Sequence, residues 1–151
     1  MKSVMGSDGS LADLLWTPGG GSRNPMTHEM LDQKQQYLKM QGRDVFKHAV
    51  VRMTDAVIKA LEKNGVSADE VNCFIPHQAN IRIIDSISKR LGVADRMYCN
   101  VDKYANTSSA ALAIALDEAV KDGTISKGDL VVLTVFGGGF TWGANVLEWG
   151  K

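Results

Sequence analysis

The chain is poor in the features that most often announce a compartment or a partner. It has two cysteines, Cys73 and Cys99, in no CxxC or zinc-type spacing, so neither a dense disulfide framework nor a zinc module is in view. Both lie in apolar, strand-like runs, where a free thiol behaves as a small buried hydrophobe; that suits a reducing compartment. Charge of one sign is missing as well. Lys and Arg total 17, Asp and Glu total 17, and the formal net charge is zero, so no global field draws the chain to nucleic acid or to an anionic membrane. Only a local basic patch remains open. No apolar run is long enough to span a bilayer, and Met1 to Ser10 has no apolar core of a signal peptide. The expectation is a cytoplasmic protein.

What is present fits one globular domain. The 151 residues are 44% hydrophobic and 23% charged, enough for a real core. The opening is turn and loop chemistry, Ser7-Asp8-Gly9-Ser10 and Thr17-Pro18-Gly19-Gly20-Gly21-Ser22, with Leu11, Leu14, Leu15 and Trp16 between as isolated apolar anchors. Such a start has the look of a piece of a longer protein. Residues 1–41 are read as a loop-rich entry segment and 42–151 as the domain proper.

From Arg43 to Lys63 apolar residues recur at helical spacing, and Asn64-Gly65 supplies a left-handed stop. Ser67 to Glu70 has the capping-box pattern. Val71 to Ile75 is a short strand ended by Pro76. A second helix runs from Ile81 to Leu91, with Gly92 as its stop, and Met97 to Val101 is expected to be a strand. Asn106-Thr107-Ser108 is an N-cap cluster for a helix from Ser109 to Lys121. That helix is apolar around most of its circumference, so most of it should be buried. Leu130 to Phe136 is an apolar strand of the covered kind, and Phe140 to Trp149 is the last. Strands joined through helices predict an α/β layered fold with a mixed sheet.

Three segments at strand ends are candidates for chemistry, because ligand sites in α/β folds concentrate there. In Pro76-His77-Gln78-Ala79-Asn80-Ile81-Arg82, a His held at a strand end can donate to a carbonyl oxygen that gains charge, or move a proton. In Tyr104-Ala105-Asn106-Thr107-Ser108-Ser109-Ala110, the Asn amide can act as a second donor to one oxyanion. In Phe136-Gly137-Gly138-Gly139-Phe140-Thr141-Trp142-Gly143, the glycines let backbone N–H groups approach a ligand. Each has a plainer reading when taken singly: a His that caps the next helix, an N-cap, and a tight hairpin.

Together, and in this order and separation, the three segments resemble the β-ketoacyl-acyl-carrier-protein synthase III family of the thiolase superfamily. The likeness runs from Ser7-Asp8-Gly9 through Gly42-Arg43-Asp44-Val45-Phe46-Lys47 to the final strand. It implies that residues 42–151 are the C-terminal half of a thiolase-like condensing enzyme. The reaction implied is a decarboxylative Claisen condensation of acyl-CoA with malonyl-acyl-carrier protein, which starts fatty-acid synthesis and needs no cofactor or metal. By this resemblance His77 and Asn106 are catalytic, both donating to the malonyl thioester carbonyl. Gly138 offers a backbone oxyanion donor, and Phe136 stands beside the reacting centre. Gly42, Phe46 and Asn80 match positions along the pantetheine arm, and Lys47, Arg82 and Lys89 match a docking patch for the acidic carrier protein.

One departure is large. The family's nucleophilic Cys belongs to an N-terminal half that these residues do not include, and neither Cys73 nor Cys99 matches it. The resemblance therefore implies a Cys-bearing N-terminal half as partner, a homodimer of the complete enzyme, and no acyl-enzyme on this chain alone. Two alternatives accompany this reading: half of a related polyketide or quinolone-type starter synthase, and a non-catalytic module that binds the carrier protein.

Overall fold

A computed structural model describes residues 1–150. In chain order the elements are β1 (Ser3–Ser7), β2 (Leu15–Trp16), α1 (His28–Asp32), β3 (Lys39–Met40), α2 (Gly42–Asn64), β4 (Cys73–Pro76), α3 (Ile81–Leu91), α4 (Val101–Tyr104), α5 (Ala110–Lys121), β5 (Leu130–Gly137) and β6 (Thr141–Glu148). The main sheet has the order β1-β6-β5-β4, and β2 and β3 form a separate two-stranded ribbon. β4 and β5 are parallel, with Phe74 opposite Val132, whereas β5–β6 and β1–β6 are antiparallel.

Side chains alternate across the sheet and so build two cores. Phe74, Val132, Ala144 and Val146 meet Ala56, Val57, Ala60 and Leu61 of α2 on one face. Cys73, Ile75 and Val131 meet Ala115 and Ala119 of α5 on the other. The result is a three-layer α/β/α arrangement, the α/β fold with a mixed sheet that strands joined through helices predict. α2 ends where its last residues require: Gly65 adopts φ 66° and its N–H bonds back to the helix. Glu70 and Ser67 form the capping box, and Gly92 closes α3 at φ 71°.

The structure differs from the sequence expectation in three places. First, β1 lies in the stretch read as loop and joins the main sheet as its edge strand. Second, Met97 to Val101 is not a strand. Only a single bridge, Phe74 to Met97, forms beside β4, with the Tyr98 N–H donating to Phe74 O at 2.9 Å. The next rung of a parallel ladder needs the N–H of Pro76, which proline lacks. The Gln78 carboxamide fills the gap: its Nε2 donates to Tyr98 O at 3.2 Å and Pro76 O at 2.9 Å, and its Oε1 accepts from the Asn100 N–H at 2.9 Å. The chain then turns into α4. Third, α5 buries only Ala111, Ala115 and Ala119, a single stripe at i, i+4 spacing, and leaves its larger apolar side chains partly uncovered.

Candidate active site

β4 and β5 are parallel, so their C-terminal ends reach the same edge of the sheet. His77 follows β4 there, its N–H bonded to Thr134 O of β5 at 2.8 Å. Its imidazole is half-buried, and no hydrogen-bond partner engages it among the described residues. Burial holds its pKa below the ordinary 6.5, so the ring is neutral at pH 7 and carries one N–H to donate. Asn80, three residues on, caps α3: its Oδ1 accepts from the Arg82 N–H at 2.8 Å.

Asn106 sits in a loop between α4 and α5 held by two residues of positive φ, Ala105 at 55° and Ser108 at 58°. Its side-chain Oδ1 accepts from the Ser108 N–H at 3.0 Å. That bond engages the acceptor end of the amide and leaves Nδ2, the donor end, without a hydrogen-bond partner among the described residues. Asn106 is therefore not the side-chain cap of α5: the N-cap residue is Ser109, which makes no side-chain cap bond. The plainer N-cap reading gives way to an exposed amide presented by its loop.

At the third segment β5 passes into β6 through Gly138, Gly139 and Phe140. The Asp8 and Phe140 backbones exchange N–H···O bonds of 2.8 and 2.9 Å, which ties this turn to the segment after β1. A Cβ on Gly138 would lie 3.0 Å from Leu15 O, so any side chain there would have to push the Leu15 backbone back by a few tenths of an ångström. Phe136 stacks edge-on against Phe140 at 4.8 Å and packs on Ala49, Met53 and Ile87.

The remaining candidates line the ends of α2 and α3. Gly42 opens α2, with Phe46 and Lys47 in its first turns. The Arg82 guanidinium lies 5.8 Å from the Phe46 ring centroid, which brings the two helix starts together. Asn80 and Arg82 also border a cleft of about 490 Å³, shared with Ile81, Cys99, Val101 and Asp102. Lys89 is seven residues beyond Arg82, on the same face of α3 and about 10 Å further along. Lys47, Arg82 and Lys89 are exposed, and no carboxylate pairs with them among the described residues. Nor does any group of three or more metal-ligating side chains come together there.

Comparison with known proteins decides the family. Residues 61–149 match the model of the family described as 3-oxoacyl-[acyl-carrier-protein (ACP)] synthase III, C terminal. This chain belongs to that family. It is 45% identical over 152 residues to the β-ketoacyl-[acyl-carrier-protein] synthase III of Caldanaerobacter subterraneus, covering 100% of this chain and 46% of that protein. Among solved structures, synthase III from Thermus thermophilus superposes with a TM-score of 0.85 at 42% identity, covering 98% of this chain and 45% of the other. A priming β-ketosynthase of the R1128 polyketide pathway gives 0.84 at 32% identity, covering 99% and 44%. The chain thus spans a little under half the length of the relatives it matches, and its layered α/β fold is that of the C-terminal half.

Within this synthase III half, the sequence reading missed the residues that hold the two side-chain loops. Gln78 was visible only as part of a motif, Asn100 was assigned to a strand that does not form, and Glu118 was not singled out within its helix. Asn100 Nδ2 donates to Glu118 Oε2 at 2.7 Å, and Lys103 Nζ reaches Glu118 Oε1 at 2.8 Å. The Lys103 bond, then the Asn100 bond, keeps the Glu118 carboxyl below the usual carboxylate range. A proline in a strand followed two residues later by Gln was the one signal that would have pointed there. Cys73 is buried in the core, and burial pushes its thiol up to about 11, the opposite of what a nucleophile needs.

Proposed function

We propose that this chain is the decarboxylating half of a β-ketoacyl-acyl-carrier-protein synthase III that acts in the cytoplasm and begins fatty-acid synthesis. The observation that carries the reading is that three donors of the right kinds are left unengaged among the described residues: the neutral His77 ring, the Nδ2 of Asn106, and the glycine turn beside Phe136. His77 and Asn106 donate to the thioester carbonyl oxygen of malonyl-carrier protein. The bond to the carboxylate breaks, carbon dioxide leaves, and the electron pair enters the enolate whose oxygen these donors stabilise. The enolate carbon then attacks the acyl thioester on a Cys of the companion half. The Gly138 N–H takes up the resulting oxyanion, and collapse expels the Cys thiolate. Neither Cys73 nor Cys99 serves as that nucleophile.

The same reading places the pantetheine arm along Gly42, Phe46 and Asn80, and the acidic carrier protein against Lys47, Arg82 and Lys89. Long cations beside a cleft steer an anionic partner, and the Arg82–Phe46 contact supports a shared entry. No cofactor or metal enters this scheme. A Cys-bearing N-terminal half is the companion, and the complete enzyme is a homodimer. Support for the companion comes from the sheet face that α5 covers only in part, where Met5 and Val135 remain exposed on either side of Gly143.

The test is to mix the purified chain with the N-terminal half of a synthase III and assay condensation of acetyl-CoA with malonyl-carrier protein. Activity is expected only in the mixture, and a fall of about 10²–10³ with His77→Ala or Asn106→Ala. Condensation by the chain alone, or an unimpaired His77→Ala mixture, would sink the assignment. Carrier-protein binding without condensation in associated halves would favour a binding module. The likeness to the priming polyketide ketosynthase supports a second reading, in which the complete enzyme primes a polyketide; the acyl-CoA preference of the assembled enzyme separates the two.

A further inference from the structure

Two buried side-chain amides and one carboxylate run between the loops that carry His77 and Asn106. Gln78 and Asn100 are each only 1% exposed, an expensive placement for amides unless their polar atoms are partnered. Gln78 is the neighbour of His77 and, as described, replaces the missing ladder rung at Pro76, reaching Tyr98 O and the Asn100 N–H. The Asn100 carbonyl oxygen then accepts the Lys103 and Tyr104 N–H groups at 3.1 and 3.3 Å, which starts α4. The last of that turn, Ala105, leads straight into Asn106.

Glu118 closes the circuit from the other side. It stands on α5, the helix that follows the Asn106 loop, and bonds Asn100 and Lys103, the residues that precede it. Both flanks of the Asn106 loop are thereby fixed to one carboxylate. Among the described residues the loop has no side-chain bond to the rest of the fold: Asn106 bonds only Ser108 within it, and its Ala105 and Ser108 are in a backbone conformation that L-residues rarely adopt. Its shape must therefore be imposed by its ends.

We propose that Gln78, Asn100 and Glu118 are positioning residues that set the placement of the Asn106 donor relative to His77. The inference rests on the reading of those two as donors to one enolate oxygen, but the placement itself can be measured without it. A misplacement of about 1 Å in such a site can lower a rate by about 10²-fold, whereas a purely structural role would lower stability and leave the geometry of the folded fraction intact.

The first test uses the chain as it is. Backbone and side-chain ¹⁵N relaxation of Asn106 is compared in the parent, Glu118→Ala and Glu118→Gln. Expected is loss of order at Asn106 and shifted Nδ2 resonances in Glu118→Ala, with recovery in Glu118→Gln, whose amide oxygen still accepts from Asn100. Lys103→Ala, which leaves the Asn100 bond in place, should produce a smaller change and serves if Glu118→Ala does not fold. Unchanged Asn106 order and shifts in the folded variant overturn the proposal, as does a Glu118→Gln chain that behaves like Glu118→Ala. The second test assembles the chain with the Cys-bearing half and follows malonyl-carrier protein decarboxylation separately from acetyl transfer to the Cys. Glu118→Ala should lower decarboxylation kcat about 10- to 100-fold with KM within twofold and acetyl transfer unaffected. Equal loss of both half-reactions identifies a structural role and overturns the proposal. Full decarboxylation in Glu118→Ala, beside a loss in His77→Ala, overturns the positioning role alone and leaves the functional reading standing. Full decarboxylation in His77→Ala instead defeats that reading, while the relaxation result still judges whether Glu118 holds the loop.

Discussion

Burial of the His77 imidazole lowers its pKa from the ordinary 6.5, which fixes the sign of its effect on stability. As pH falls, the unfolded chain takes up this proton before the folded chain does, so stability is lost from about pH 6.5 downward. Urea unfolding at pH 7 and pH 5 should show a larger loss for the parent than for His77→Gln; equal losses would contradict the assignment of the shift to this ring. Cys73 gives a second expectation at this scale. With its thiol pushed up to about 11 inside the core, iodoacetamide at pH 8 should leave Cys73 unmodified in the native chain and alkylate it in urea, as mass mapping would show. The candidate donors His77, Asn106 and Gly138 were picked out by the family resemblance of their three loops, since each loop taken singly also reads as a cap or a hairpin. The residues that hold the loops were not. Gln78, Asn100 and Glu118 bond partners 15 to 22 residues away, and apart from the Pro76–Gln78 spacing nothing local marks a side chain that makes such a contact.

Helices carried the clearest local signals. The apolar spacing of α2 and α3 and the glycines that end them agree with the observed elements because core packing and capping both act within a few residues. Gly65 permits a measurement. At φ 66° with no atom within 4 Å of an added Cβ, Gly65→Ala meets only backbone strain and should destabilise by about 1 kcal/mol; chemical denaturation with no change in slope would check it. Strands were harder. β1 has the sequence Ser-Val-Met-Gly-Ser, too polar and too rich in small residues to read as a strand, and exists because the β6 edge pairs with it. Met97 to Val101 has strand composition, yet the proline beside it interrupts the ladder. In α5 the apolar circumference predicts that most of the helix is buried, whereas the sheet needs only its alanine stripe; small residues at Ala111, Ala115 and Ala119 let helix and sheet approach closely.

Taken whole, the molecule is covered unevenly. α2 and α3 occupy one face of the sheet, while α5 alone covers part of the other and Met5, at 87% exposure, stands clear. An apolar face of this kind drives association, so the chain by itself should self-associate or bind a hydrophobic dye, both reduced by Met5→Lys; a monodisperse monomer that binds no dye would argue against the exposed face. The topology also has a consequence for how the chain acquires its shape during synthesis. β5 is the central strand and β6 its neighbour, so β1 and β4, made early, have no ladder partner until residues 130–148 have left the ribosome. Until then the emerging polypeptide holds helices with apolar stripes and strands with open edges, the state most in need of chaperone cover. A chain halted after Asp129 should accordingly show helical circular dichroism without a cooperative unfolding transition, and residues 130–148 convert a collection of segments into one folding unit.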